Sequence, residues 1–447
     1  MSSSRQADTS ASPLRGPLLF AVLAVLFVLE GTVSNALFSG SWNSSLAILN
    51  MGLISAVTAL GVNMIWGYGG LFNAGVVGFV ALGGLAPVLI STQPVAGAWA
   101  AGGPRLMLAL ALGLATLVLA IAAAGRLRRA ARIWVPAAIL IGGYILTRQV
   151  FDPAIAAIEA NNPANAGNIG GLGLPVLLSW PVGMVFAALA AWGVGKVALG
   201  LRSDYLAIAT LGIGEIIVAI LKNEGWLARG VLNITGIPRP VPYELQLQSN
   251  PDFVAAAARW GYDAATFSGI YVKLCYLAIF VAVVLTLILL AELALHSPWG
   301  RMMRAIRDNE TAARAMGKDV TRRHLQLFVL GSAVIGLSGA MMVTLDGLMA
   351  PGGYNPLRYT FLIWVMVIVG GSGNNWGAVL GAVLIWFLWI KAEVWGPALM
   401  SLLTLPLSDG PLLRHLTETA PQMRFLAMGL LLLAVLRFAP RGLLPER

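Results

Sequence analysis

Charged residues are scarce in this sequence. Of its 447 residues only 11% are Asp, Glu, Lys or Arg, whereas 58% are hydrophobic. Soluble globular domains carry about 25% charged residues, so this chain has too little polar surface to cover a water-soluble globule. The composition therefore excludes an ordinary soluble domain.

Groups that carry out chemistry are also scarce. The single cysteine, Cys275, excludes an intrachain disulfide and a cysteine-based metal site. The three histidines accompany no H-E-x-x-H motif. No G-x-x-x-x-G-K-[ST] phosphate loop occurs, because Gly195-Lys196 is followed by Val197. We expect no catalysis, no metal and no cofactor on this chain.

Long apolar runs are what the sequence has in abundance. Many are about 20 residues long, the length that lets a helix cross about 30 Å of hydrocarbon. The chain is therefore predicted to be all-α, a polytopic bundle of roughly 10–12 transmembrane helices. The tenth predicted span is short enough to be re-entrant. The predicted spans are 18–38, 46–66, 71–90, 106–124, 133–148, 176–195, 205–222, 269–293, 325–345, 359–371, 376–395 and 421–438.

The distribution of basic residues predicts the orientation of these spans. With the N-terminus inside, most of the 29 Lys and Arg residues fall in short cytoplasmic loops, as the positive-inside rule requires. The net charge of +10 then reflects membrane topology and not nucleic-acid binding. Both termini are expected in the cytoplasm. The predicted regions are a cytoplasmic tail at 1–17, a transmembrane domain at 18–438 with an outer loop at 223–268 and a cytoplasmic loop at 296–324, and a cytoplasmic tail at 439–447.

Two outer loops are rich in residues that break helices. The 223–268 loop contains four prolines, which makes one continuous helix unfavourable and predicts an ordered cap. The 149–173 loop contains several asparagines and glycines and is predicted to form turns.

The inner loop at 297–317, SPWGRMMRAIRDNETAARAMG, predicts two short helices. Ser297 can cap the first helix with Pro298 at its first position, Asn309 can cap the second, and Gly317 can end it. Such amphipathic helices either dock in a groove of a partner or lie on anionic lipid. The candidate contact groups are Met302, Met303, Ile306, Ala312, Ala313 and Met316.

Polar residues within the predicted spans are further candidates. A carboxylate at mid-membrane, such as Glu215, is costly unless it is paired or faces water. Glu215 either lines a substrate path and holds a bend at Gly212 and Gly214 open, or it is a protonated acid bonded to a neighbouring helix. The asparagines at 50, 63 and 73 form interhelical hydrogen bonds of about 1 kcal/mol or contact a ligand.

Four segments together resemble one known family: GLFNAGVVGFVALGG at 70–84, LRSDYLAIATLGIGEII at 201–217, the loop at 297–317, and VGGSGNNWGAVLGAVL at 369–384. They resemble the LivM-type branched-chain amino acid permeases of ABC importers, which implies that 18–438 is a permease domain and 223–268 a periplasmic loop. Glu310, Ala312, Ala313 and Gly317 match the E-x-A-A-x-x-x-G cytoplasmic motif of importer permeases. Asn73 stands where members of the family commonly have serine.

The resemblance implies a permease subunit of the bacterial inner membrane that couples to two separate ABC ATPase subunits, which hydrolyse the ATP. It also implies a second, LivH-like permease and a periplasmic binding protein. The substrate would be leucine, isoleucine or valine, with urea or short amides as the alternative. The candidate ATPase-coupling residues are Arg301, Arg304, Arg307, Glu310, Ala312, Ala313 and Gly317, and the candidate path residues are Asn63, Asn73 and Glu215.

Two other classes of protein remain open from the residues alone. An ion-coupled secondary transporter would use Glu215, Asp346 and Glu393 as proton or ion groups and would catalyse uptake without ATPase partners. A membrane scaffold would have no path at all. Polar groups inside the spans disfavour the scaffold.

Overall fold

The computed structural model describes residues 14–35, 37–127, 131–161, 167–405 and 410–446. Helices make up most of this part of the chain. They are α1 (Arg15–Thr32), α2 (Trp42–Val62), α3 (Val76–Ser91), α4 (Ala96–Arg126), α5 (Ala131–Ala160), α6 (Ser179–Ala198), α7 (Ser203–Asn223), α8 (Gly225–Ala228), α9 (Glu244–Gln248), α10 (Pro251–Arg259), α11 (Ala264–His296), α12 (Pro298–Asp308), α13 (Glu310–Ala315), α14 (Val320–Asp346), α15 (Leu362–Gly370), α16 (Asn375–Leu403), α17 (Pro411–Thr419) and α18 (Met423–Phe438).

Two stretches of π-helix adjoin these α-helices. Asn63–Tyr68 continues α2, and Leu357–Phe361 leads into α15. Such turns are rare and are frequent at functional sites. Short 3₁₀ turns lie at Val176–Leu178, Gly230–Leu232, Pro351–Gly353 and Ala420–Gln422. Strands β1 (Ile234–Thr235) and β2 (Leu348–Met349) pair antiparallel, with Ile234 opposite Met349.

The predicted membrane-spanning bundle is confirmed. Within the described ranges, nine helices are long and apolar enough to cross a bilayer, and two shorter apolar helices, Val76–Ser91 and Leu357–Gly370, accompany them. Each of the twelve predicted spans overlaps one of these eleven helices or α18. A helix satisfies its own backbone hydrogen bonds, which is why apolar runs of this length adopt it in lipid.

Helices α2 and α14 form the centre of the bundle, and most of each is buried. Helix α14 crosses α3 so closely that a Cβ at Gly83 would overlap the backbone of Gly336, and one at Gly339 would overlap Val80. Lipid gives no hydrophobic driving force between helices, so close backbone contact of this kind stabilises the core.

Helices α4 and α5 pack mainly on each other and expose most of their apolar surface. The predicted 149–173 loop is wrong in its first part, because α5 continues through Pro153 to Ala160. Ala154 and Ile158 pack against Gly102 of α4, and this contact extends the helix beyond the point that local composition indicates. The predicted turn at 162–166, the arginines at 128 and 129, and the first thirteen residues lie outside the described ranges.

The 223–268 segment is the ordered cap that the prolines predicted. It contains α8, a 3₁₀ turn, β1, α9 and α10 in place of one long helix. Asn250 caps α10 by accepting a hydrogen bond from the Asp252 amide at 3.0 Å. The pairing of β1 with β2 ties this cap to the end of α14.

Candidate functional site

The two short helices predicted in the inner loop are α12 and α13, and each predicted cap is present. Ser297 accepts from the Gly300 amide at 3.3 Å, and Asn309 accepts from the Ala312 amide at 2.9 Å. Pro298 occupies the first position of α12, and Gly317 adopts the left-handed conformation (φ +76°) just beyond α13. These devices fix a rigid projection at one end of the bundle.

The apolar face of this projection packs inward. Met303, Ile306 and Ala313 are buried against Val320 and Leu327 of α14. The prediction that Met303, Ile306 and Ala313 are free contact groups is therefore wrong, because the amphipathic stripe completes the chain's own core. Ala312 and Met316 remain exposed, and Met302 is half-buried.

The candidate coupling residues divide into an exposed set and an anchoring set. Arg301 donates to the His296 carbonyl at 3.0 Å, and Glu310 pairs with Arg314 at 2.6 Å on the exposed side of α13. Arg304 is half-buried and donates to the Leu295 carbonyl at 3.3 Å.

Arg307 is the main anchor of α12. Its Nη1 donates to the Gly67 carbonyl at 2.6 Å and to Glu446 Oε2 at 2.9 Å. Burial alone would lower the pKa of the Arg307 guanidinium, but the hydrogen bond and charge of Glu446 outweigh it and raise the pKa. Arg307 therefore joins α12 to the π-helical end of α2 and to the C-terminal residues.

Residues 441–446, which we call the C-terminal strap, lie along the turn between α15 and α16. The Leu443 amide donates to the Val369 carbonyl at 2.8 Å, and the Leu444 amide donates to the Gly370 carbonyl at 2.9 Å. Asn374 Nδ2 donates to the Pro445 carbonyl at 3.1 Å. The strap thus bonds to the end of α15 through its backbone and to α12 through the ion pair of Glu446 with Arg307.

A cavity of about 950 Å³ lies beside the strap at the same end of the bundle. Its walls come from the start of α1, the end of α11, α12 and the strap, and Arg15, Glu292, Arg304 and Glu446 line it. The first described residues and the last ones therefore lie at the same end of the bundle as α12 and α13.

The chain leaves helical geometry between the π-helix and α3, at residues 69–75. Side chains from other elements bind the amides of this break: Thr210 of α7 accepts from the Ala74 amide at 3.0 Å, and Thr360 accepts from the Val77 amide at 3.2 Å. Trp364 donates to the Asn73 carbonyl at 3.1 Å. Non-helical backbone at membrane depth occurs where protein buries it or where it lines a cavity, so the break marks a candidate path.

A family model described as branched-chain amino acid transport system / permease component matches residues 154–436, more than half of the chain. The chain belongs to this family. It is 32% identical over 238 residues to the high-affinity branched-chain amino acid transport permease LivM of Escherichia coli K12, covering 51% of this chain and 53% of that protein. The relative from Salmonella typhimurium gives the same identity and coverage.

A LivM relative from Methanocaldococcus jannaschii is 27% identical over 335 residues, which cover 75% of this chain and 84% of that protein. The chain thus spans about half the length of the first two relatives and most of the third. No solved structure matches the chain.

Among the candidate path residues of this permease, Glu215 lies on an exposed face of α7, and no described residue pairs with it. Helix α7 is continuous through Gly212 and Gly214, so the expected bend at these glycines is absent. Gly214 instead packs against Gly75 at the helix break, where any side chain would be crowded. The glycine therefore serves helix packing, and Glu215 faces outward from this chain.

The other in-span asparagines differ in how fully they are bonded. Asn63 donates to Asn375 Oδ1 at 3.3 Å and accepts from the Gly373 amide at 2.8 Å. Asn50 donates to the Lys273 carbonyl at 2.9 Å. These bonds support an interhelical role for both residues. Two of the three amides are only half bonded, because Asn50 Oδ1 and Asn73 Nδ2 have no hydrogen-bond partner among the described residues; of these two atoms, only Asn73 Nδ2 is a donor.

Sequence reasoning missed a buried ion pair. Lys391 of α16 contacts Glu30 of α1, and both side chains are almost fully buried. Ser39 and Ser44 donate to the same carboxylate. A lysine within an apolar run requires a carboxylate partner, and this signal could have identified the pair.

The groups required for chemistry are not assembled in the part of the chain described. No cluster of three or more His, Cys, Asp or Glu side chains there could hold a metal ion. Of the groups suggested for an ion-coupled mechanism, Glu393 pairs with Arg424 at 2.8 Å on the surface.

Proposed function

We propose that this chain is the permease subunit of an ATP-driven importer of branched-chain amino acids in a bacterial inner membrane. The family match and the LivM names of its relatives support the substrate class. The main support for the coupling role is the projection formed by α12 and α13. Its inner face packs against α14, and its outer face is exposed.

In this proposal the exposed side of the projection docks in a groove of a partner ATPase. Two such ATPase subunits hydrolyse the ATP, and this chain has no ATPase site. A second, LivH-like permease completes the path, and a periplasmic binding protein delivers the substrate. The proposal also puts both tails in the cytoplasm, which is supported by Arg15 and Glu446 lining one cavity beside the projection. Rigid-body movement of packed helices then alternates the access.

The contact with the ATPase is testable at Met316, whose side chain is 77% exposed beyond α13. Met316→Asp places a charge in the docking surface and should reduce the amount of ATPase that copurifies with the tagged permease. Leu245→Asp is the matched control, because Leu245 is 79% exposed on α9 in the opposite cap. Equal recovery of ATPase with both variants would contradict the docking surface.

The whole function is tested by reconstitution in proteoliposomes with the binding protein and ATPases. We expect leucine uptake only when ATP is supplied on the side of the ATPases and when the binding protein, the ATPases and the second permease are all present. Uptake by this chain alone under a proton or sodium gradient would identify a secondary transporter and overturn the proposal.

A further inference from the structure

The helix break at 69–75 holds a buried donor that no described residue satisfies. Asn73 is 1% exposed. Its Oδ1 accepts from the Gly75 amide at 2.9 Å, whereas its Nδ2 has no hydrogen-bond partner. Buried side-chain amides in proteins are bonded in the large majority of cases, and an unbonded one costs free energy. The side chain therefore points to a ligand that supplies the missing acceptor.

The chemistry of the missing acceptor follows from its surroundings. An amide NH₂ only donates, so the ligand must offer an oxygen. The amide stands three residues before α3, a 16-residue helix whose N-terminus favours negative charge. A carboxylate meets both conditions, whereas an ammonium group meets neither. In transporters, broken helices at membrane depth bind anionic substrate groups in this way.

Aromatic side chains supply an apolar wall beside the donor. Phe72 stacks on Trp364 with ring centroids 4.1 Å apart, and Trp66 lies 4.8 Å from the same ring. Phe72 is 37% exposed, and Phe361 of the second π-helix is 47% exposed. These rings adjoin the donor along the chain and through Trp364, whose indole donates to the Asn73 carbonyl. Movement of Phe72 away from Trp364 would open a site for a branched aliphatic side chain.

We propose that Asn73 binds the α-carboxylate of the transported amino acid, with Phe72 and Trp364 in contact with its side chain. This assignment rests on the proposed function and names the substrate contact within it. Phe72 then acts as a gate over the site. Helix packing alone would require only the Oδ1 bond to Gly75, which leaves the second half of the Asn73 amide unexplained.

Asn73→Asp is the sharpest single change. It keeps the shape and the bond to the Gly75 amide, but it replaces the donor by an acceptor that repels a carboxylate. We expect leucine uptake per assembled complex to fall about tenfold or more, the equivalent of one charge-assisted hydrogen bond. ATP hydrolysis stimulated by the binding protein should persist, because the coupling projection is untouched.

Asn50→Asp is the matched control. Asn50 is equally buried on α2, but its amide already donates to Lys273. Asn50→Asp also buries a charge and loses the bond to the Lys273 carbonyl, so less complex should assemble, but the complex that does assemble should import leucine at the wild-type rate. Equal uptake by the Asn73 variant and the wild type, or an equal loss in both variants, would overturn the carboxylate site. A wild-type complex that imports no leucine would instead refute the proposed function.

A second measurement does not require the Asn73 variant to assemble. In a Cys275→Ser background, Phe72→Cys should react with a charged, membrane-impermeant thiol reagent, and leucine should slow the reaction in the working complex. Leu114→Cys, on the exposed face of α4, should not react. An unreactive thiol at position 72 in every nucleotide state, or a rate that leucine does not change, would contradict a path at the break.

Discussion

Removing Lys391 alone should strongly destabilise this permease. The lysine side chain is 4% exposed and its partner Glu30 is fully buried, so Lys391→Met leaves a carboxylate bonded to the hydroxyls of Ser39 and Ser44 and to the Ser39 amide, with no positive charge beside it among the described residues. Breaking a buried ion pair by removing one partner costs about 3–5 kcal/mol. The loss should appear as separation of α1 from α16, because no other ion pair among the described residues joins these helices.

The double variant Glu30→Gln/Lys391→Met should recover most of this loss. It removes both charges, and replacing a buried pair by neutral groups is often close to neutral in stability. The glutamine can still accept from the serines. The coupling free energy of the double-mutant cycle should therefore be about 2–4 kcal/mol in favour of the pair.

Thermal unfolding in detergent, followed by size-exclusion fluorescence at fixed lipid content, measures these differences. The two single variants should unfold at clearly lower temperatures than the wild type, and the double variant should lie above both. Arg148→Met is the control, since Arg148 pairs with Asp152 at 3.0 Å on the exposed face of α5 and surface pairs of this kind contribute little. Single variants as stable as this control would refute the reasoning.

Three further changes test the coupling projection and the core. Glu446→Gln removes the charge that Arg307 binds and should lower leucine uptake per ATP hydrolysed in proteoliposomes, while an unchanged ratio would exclude the strap from coupling. Gly339→Ala places a methyl group against the Val80 backbone and should destabilise the bundle by about 1–3 kcal/mol in thermal melts; a neutral effect would contradict the close crossing. Glu310→Lys reverses the charge of the exposed pair on α13 and should weaken ATP-driven uptake, whereas normal uptake in an assembled complex would argue against docking there.

Features that depend on local sequence were predictable. The spans follow from runs of apolar residues, and the caps of α12 and α13 follow from Ser297, Asn309 and Gly317 at fixed spacings. Each depends on residues within one or two helical turns.

Features that depend on tertiary contact were not predictable. The inward orientation of Met303 and Ile306 requires knowledge of where α14 begins relative to α12. The extension of α5 through Pro153 depends on Gly102 in α4. The role of the C-terminal strap depends on backbone bonds to Val369, far away in sequence, which no side-chain pattern encodes. In each case the residues that determine the conformation lie far away in the sequence.

The position of Arg307 links the coupling projection to the helix break. Its guanidinium donates to the Gly67 carbonyl, two residues before the break begins at Gly69, so a displacement of α12 acts directly on the backbone that leads to Asn73. Helices α3 and α14 are in close backbone contact, which resists relative movement between them. The π-helical turn at Asn63–Tyr68 is less regular than an α-helix and can change its geometry at lower cost. A movement of α12 driven by a partner ATPase should therefore displace the helix break more than the packed core. The thiol reactivity of Phe72→Cys should then change with the bound nucleotide, while that of Leu114→Cys stays constant.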